Sequence, residues 1–156
     1  MTDLVRVSDH IQAVVDHLND GQLVDPTTDE TVMFGRGVQP DGTGWQGAAS
    51  QSPFHPYGIV WRIGSKDAVN RNLDDTLATE GRLLVFVRVF GGFSTQADDV
   101  LDLMHARMLS GLTVPGRDVL WVRLDNGQTS TKNEDVEFTL YEAGNFYRIR
   151  SRPSDA

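Results

Sequence analysis

The chain contains no cysteine. Disulfide bonds and cysteine-bound metal sites are therefore excluded, while the redox state of its compartment stays open. The sequence also lacks a long apolar run: the longest, residues 83–90, is interrupted by Arg88, whereas a membrane-spanning helix needs about 20 residues. The first eight residues include Asp3 and Arg6 and have no apolar core of signal-peptide length, so we expect synthesis in a cytoplasm and no membrane partner.

Positive charge is scarce, and lysine supplies very little of it. Lys and Arg together number 14 against 22 Asp and Glu, which gives a net charge of −8, and the two lysines are Lys66 and Lys132. This acidic balance opposes non-specific binding to nucleic acids and to anionic membranes. The remaining cations are arginines, whose planar guanidinium group suits ion pairs at protein interfaces.

Motifs for catalysis and for cofactor binding are also missing. Residues 42–47 match G-x-G-x-x-G, but Pro53 follows closely and no helical pattern begins there, so we interpret them as a loop rather than a nucleotide site. The predicted strand–helix junction at residues 90–95 lacks the lysine of a P-loop. The sequence therefore predicts a protein that is not an enzyme and that has no cofactor and no catalytic residues.

Histidine spacing does not favour a metal site. His10 and His17 are seven residues apart, which is too far for the i, i+4 pair of a helical zinc site. We expect all four histidines to lie at the surface or to be partly packed, with no metal bound; they are His10, His17, His55 and His105.

Two segments have helical periodicity. Residues 8–20 place apolar side chains at Ile11, Val14, Val15 and Leu18, with Ser8 as a possible N-cap. Residues 96–109, capped by Ser94 or Thr95, have an inner stripe of apolar residues. This stripe consists of Ala97, Val100, Leu101, Met104 and Met108.

The other segments predict strands and loops. The region 25–56 is rich in glycine and proline and predicts a long loop with a short strand near 31–34; residues 65–81 predict a second, acidic loop. A turn is expected at Asp125–Gly127 and another at Ala143–Asn145, the latter joining a final hairpin. The predicted strands are 57–63, 83–90, 119–124, 136–141 and 146–150.

These elements predict a single domain, residues 1–156, with a frayed tail at 152–156. The predicted fold is α+β, a mostly antiparallel sheet of about five or six strands with two helices on its apolar face.

Alternation along the strands predicts a sheet with two different faces. In strand 83–90, residues 83, 85, 87 and 89 are all aliphatic, whereas the opposite set contains Phe86, Arg88 and Phe90. In strand 57–63 we assign Tyr57, Ile59 and Trp61 to the apolar, helix-covered face and Arg62 to the other. The predicted subunit interface consists of Arg62, Phe86, Arg88, Phe90, Trp121, Arg123, Arg148 and Arg150.

A solvent-facing sheet side is common, but exposed aromatic side chains in a group are costly. Mixed arginine and aromatic residues are enriched where proteins contact one another. We therefore interpret the second face as a contact with another protein subunit, and acidic loop residues of a neighbouring copy are the expected counterpart of its arginines.

The order of motifs in the middle of the chain resembles a known family. A proline–aromatic strand entry at residues 54–60 is followed by an Asp-rich loop at 67–75 and by strand 83–90. The next helix begins with Ser94, Thr95, Gln96, Ala97 and Asp98. This succession resembles the tail terminator (tail completion) proteins of long-tailed bacteriophages.

The resemblance implies an α+β protein that assembles as a homohexameric ring. The ring would cap the tail tube protein, stop tube polymerisation and dock to a head-closure or neck protein, while DNA passes through it without sequence-specific binding. The implied location is the virion, at the head–tail junction. The long loop 25–56 and the segment 65–81 depart from the family pattern.

Three alternatives stay open from the residues themselves. A head–tail connector or head-closure subunit would use the same kind of face. A nucleic-acid-binding module would use the arginines and aromatics to hold bases and phosphates. A small enzyme would need convergent ionisable groups around His55, within the loop 35–56.

Overall fold

A computed structural model describes residues 7–62, 81–133 and 140–154. It contains two α-helices, α1 (Val7–Asp20) and α2 (Ser94–Met108). Its strands are β1 (Met33–Arg36), β2 (Gly44–Trp45), β3 (Phe54–His55), β4 (Tyr57–Arg62), β5 (Gly81–Gly91), β6 (Arg117–Asn133) and β7 (Leu140–Pro153). No helix within these ranges is long and apolar enough to cross a membrane.

Five of the strands form one sheet in the order β1–β4–β5–β7–β6. Every pair is antiparallel except β1 with β4. Strands β2 and β3 form a separate antiparallel ribbon. The prediction of an α+β fold with a mostly antiparallel sheet and two helices is confirmed.

Both helices pack on the same face of the sheet. The expected stripe of α1 is buried, as are four of the five stripe residues of α2; Leu101 is half-buried and packs against the same core. The sheet contributes alternate residues of β5 and β7, including Val85, Val87, Tyr147 and Ile149. Removing these apolar side chains from water is the main force that holds the two layers together.

The two predicted turns near the C-terminus are wrong. Asp125–Gly127 lies inside β6, and Ala143–Asn145 lies inside β7. Strand β7 is paired on both sides, with β5 and with β6, and this long pairing overrides the local turn preference. The turn-prone sequence lies within β6, at a shift of the strand register between Leu124 and Asn126.

Several predicted segments lie outside the described residues: most of strand 136–141, most of loop 65–81 and the last two residues of the tail. The segment 25–56 contains the three short strands β1, β2 and β3, and β1 confirms the short strand expected near its start.

The predicted side-chain cap of α2 is also wrong. Ser94 and Thr95 lie within the helix, the N-cap is Phe93, and no side chain caps it. The side chain of Gln96 reaches back instead, and its Oε1 accepts a hydrogen bond of 2.8 Å from the backbone N–H of Gly92. This bond fixes the turn between β5 and α2.

Gln96 also anchors the long segment that precedes β4. Its Nε2 donates to Oδ2 of Asp25 at 2.9 Å and to the carbonyl oxygen of Phe54 at 3.2 Å. Asp25 is fully buried and accepts a second hydrogen bond, of 2.7 Å, from the Thr28 hydroxyl. Three distant parts of the chain are therefore joined through the buried Gln96 side chain, which the sequence pattern did not reveal.

Tyr147 occupies the centre of the core, where its hydroxyl group contacts His105 Nδ1 at 2.7 Å and accepts a hydrogen bond of 2.9 Å from the Asn145 amide. Burial raises the pKa of Tyr147 to about 12. The pKa of Tyr57 is also raised to about 12, by burial and then by the charge of Glu142.

We expect the free energy of unfolding to be independent of these two tyrosines below pH 10 and to fall between pH 10 and pH 12. In this range the unfolded chain releases the phenolic protons while the folded chain retains them, so alkali favours unfolding. Denaturant titrations at successive pH values measure the effect, and Tyr147→Phe should make the decline shallower. A wild-type curve that stays level up to pH 12 would contradict this linkage.

Candidate protein-interaction face

The face of the sheet opposite the helices carries the arginine and aromatic residues that the sequence singled out. Cross-strand pairing places Trp61 beside Phe86, and Phe86 beside Phe146. Along the same face, Arg123 pairs with Arg148 and Trp121 with Arg150. We call this surface the arginine–aromatic face. It consists of Trp61, Phe86, Arg88, Trp121, Arg123, Phe146, Arg148 and Arg150.

Seven of the eight residues predicted for the interface lie on this side of the sheet, and Arg62 is the exception. Position 62 pairs with Val85, which belongs to the helix-side core; the Arg62 side chain itself lies outside the described part of the structure. The prediction for β4 inverted its two faces. Ile59 pairs with Arg88, and Trp61 with Phe86, so the apolar set of β4 faces away from the helices.

The β2–β3 ribbon covers one end of this side of the sheet. Phe54 packs edge-on against Trp45, with ring centroids 5.1 Å apart, and stacks on Tyr57 at 6.1 Å. Tyr57 in turn stacks on Phe90 at 4.8 Å. Phe90 is therefore buried beneath the ribbon of its own chain and is not open to a partner.

Three parallel aromatic rings form the centre of the open part. The Phe86 ring stacks on Phe146 at 4.3 Å and on Trp61 at 6.0 Å, with interplanar angles of 20° and 22°. Gly144 makes this arrangement possible, because a Cβ atom at that position would lie 2.7 Å from the Phe86 ring. The Phe86 ring therefore lies close against β7 and leaves a platform of ring surfaces.

The arginine side chains are held on these rings and by carboxylates. The Arg88 guanidinium lies 5.0 Å from the Phe86 centroid and 5.5 Å from that of Trp61, and its Nη1 is 3.6 Å from Glu142 Oε2. The Arg123 guanidinium lies over the Trp121 ring, 4.4 Å from the ring centroid. Stacking of this kind attracts the cation to the ring face and restricts the arginine rotamers before any partner arrives.

Arg148 is fixed by a second carboxylate, with its Nε donating a 2.8 Å hydrogen bond to Asp125 Oδ1. Sequence reasoning missed Asp125 and Glu142 as members of the site. Both become neighbours of arginine only through the strand register, and Asp125 had been assigned to a turn. The contribution of such half-exposed pairs to stability is small, so we interpret them as positioning the arginines.

A cavity of about 410 Å³ opens between the ribbon and the sheet. It is lined by Gln39, Thr43, Gly44, Trp45, Gly47, Phe54, Tyr57 and Leu140. Among the described residues of this lining, the ionisable group is Tyr57, whose pKa is raised to about 12 by burial. His55 is not among these lining residues, and its Nε2 lies 3.3 Å from Glu30 Oε1. The convergent acid and base that an enzyme in this region would need are not among the described residues that line the cavity.

The histidines contact protein groups. Within the described ranges, no three His, Asp or Glu side chains come together as a metal site. The expectation of surface or partial packing is wrong for His10, which is fully buried and lies 3.0 Å from the Ser151 hydroxyl. His17, His55 and His105 are partly buried, as expected. Arg117 bonds the same Ser151 hydroxyl at 2.9 Å, so His10 belongs to a buried network that links α1 to the end of the sheet.

Neither the protein-family models nor the curated proteins give a match to this chain. Its function is therefore argued from the geometry of the arginine–aromatic face.

Proposed function

We propose that this protein is a structural virion protein, a tail terminator that caps the tail tube as a ring. In this role it ends tube polymerisation and joins the tail to the head or neck, while DNA passes through the ring. The observation that supports the proposal is the arginine–aromatic face, which holds arginine side chains in fixed positions on stacked rings, on the side of the sheet opposite α1 and α2.

The composition of this face favours contact with a protein over exposure to water. Trp61, Trp121 and Phe146 are only half-buried, and such rings lose contact with water when a partner covers them. Tryptophan and arginine are the residues that most often dominate protein interfaces. Because these arginine side chains are already restrained, ordering them when a partner binds costs less conformational entropy.

A nucleic-acid-binding module is less well supported. Glu142 and Asp125 lie among the arginines, and each already neutralises one of them. A phosphate backbone would be repelled by both carboxylates and by the net charge of −8. A head-closure or connector subunit would use the same face against a protein and stays the nearest alternative.

The solution mass of the purified protein tests the proposal. We expect a species of six times the 17.3 kDa chain mass, seen as rings by electron microscopy, alone or after addition of tail tubes. A chain that stays monomeric and leaves tube ends bare would contradict the proposed function. Salt-dependent binding to short DNA duplexes in place of assembly would favour the nucleic-acid alternative.

A further inference from the structure

The two layers of this protein carry charge of opposite sign. Helices α1 and α2 contain six aspartates and one basic residue of the Lys/Arg type, Arg107. The Nε of Arg107 donates a 2.8 Å hydrogen bond to the carbonyl oxygen of His17, where the ends of the two helices meet. The aspartates are Asp9, Asp16, Asp20, Asp98, Asp99 and Asp102.

Five of these six aspartates are exposed, and Asp99 is half-buried. Asp98 and Asp102 are both exposed and are one helical turn apart, so they lie on the same side of α2. Asp16 and Asp20 have the same relation on α1 and are exposed as well. The helices lie on one side of the sheet and the arginine–aromatic face on the other.

We propose that the arginine–aromatic face of one copy docks on the acidic helix layer of a second copy. This inference rests on the proposed function in one respect, namely that the face is covered by a protein subunit. Complementary charge selects the helix layer as the partner surface and guides the two copies into register. Arg123 is exposed and Arg150 is half-buried, which places cations where the partner's carboxylates would lie, while Arg148 is paired with Asp125 beside them.

The geometry makes the contact head-to-tail. The two complementary surfaces lie on opposite sides of the same chain, so each copy uses one surface for the copy before it and the other for the copy after it. Contacts of this kind build closed rings or open filaments rather than two-fold dimers. A two-fold contact of arginine–aromatic faces would instead place arginine against arginine, which is unfavourable.

Two charge variants test the contact. Arg123→Glu with Arg148→Gln alters the arginine–aromatic face, and Asp98→Lys with Asp102→Lys alters the helix layer. We expect each variant to weaken assembly by at least about 30-fold, measured by light scattering across a concentration series. Arg36→Glu and Asp41→Lys are matched controls at exposed positions of β1 and of the glycine-rich segment, and they should assemble like the wild type. Circular dichroism confirms that every variant is folded.

A mixture of the two variants gives the decisive readout. Each variant retains one intact surface, so an equimolar mixture should recover association through the intact arginine–aromatic face of one variant and the intact helix layer of the other, whereas each variant alone should not. An Asp98→Lys, Asp102→Lys variant that assembles normally by itself would overturn the head-to-tail contact while leaving the proposed function intact. A wild-type chain that neither assembles nor caps tubes would instead contradict the proposed function.

Discussion

Phe86→Ala should lower the free energy of unfolding by about 3–5 kcal/mol. Phe86 is only 7% exposed and is the central ring of the stack, in contact with Phe146 and Trp61. Gly144 beneath it offers no side chain to fill the space that the ring leaves. Chemical denaturation of the wild type and the variant measures the difference.

The same substitution should also impair assembly under conditions where the variant is folded. The Arg88 guanidinium loses the ring that lies 5.0 Å beneath it and keeps only its contacts with Trp61 and Glu142, so it is less firmly positioned. Phe93→Ala provides a control, because Phe93 is 38% exposed at the start of α2 and should cost within about 0.5 kcal/mol. A loss below 1 kcal/mol for Phe86→Ala would show that the aromatic stack is not a tightly packed platform.

Asp25→Ala should destabilise the protein by about 2–5 kcal/mol, although it removes a charge from an acidic chain. The substitution removes the acceptor of the Thr28 hydroxyl and one of the two acceptors of the buried Gln96 amide, and each group left unsatisfied costs about 1–3 kcal/mol. The loss should be concentrated where segment 25–56 meets α2. Amide hydrogen exchange measures it locally, and denaturation measures it globally.

Asp41→Ala is the matched control, since Asp41 is exposed in the same segment and should change stability by less than about 0.5 kcal/mol. Asp25→Asn keeps the shape of the side chain and one acceptor oxygen, so it should lose less than Asp25→Ala. Equal effects of Asp25→Ala and Asp41→Ala would mean that the buried carboxylate does not hold the segment.

Periodicity was sufficient to predict the two helices and the alternation of β5. In each of these elements one face packs in the core and the opposite face is chemically different, so the spacing of apolar residues indicates which face is buried. Strand β4 does not meet that condition. Its Val60 packs in the helix-side core, while Tyr57 and Ile59 are buried beneath the β2–β3 ribbon, so both faces are apolar and the pattern is ambiguous.

The errors at Asp125–Gly127 and Ala143–Asn145 have a different cause. Both segments have turn-forming residues, but they lie opposite one another in a long two-stranded pairing, with Gly127 beside Asn145. A side chain at position 127 would meet the Asn145 amide oxygen at 2.8 Å. The glycine therefore leaves room for the Asn145 side chain within a strand pair, a role that local sequence cannot distinguish from a turn.

The arginine–aromatic face could be predicted in outline, because its residues alternate within single strands. Its ion pairs and its stack could not, since Arg88 with Glu142 and Phe86 with Phe146 join residues more than 50 positions apart. Only the register between β5 and β7 brings them together.

Hydroxyl-radical footprinting of the three tryptophans tests most directly whether this face is covered by another subunit. All three indole rings are half-buried in the single chain, but Trp61 and Trp121 lie on the face, whereas Trp45 belongs to the ribbon. In the assembled protein we expect oxidation of Trp61 and Trp121 to fall relative to the monomer, with Trp45 as the internal reference. Assembled rings in which Trp61 and Trp121 are oxidised as fast as in the monomer would contradict the account.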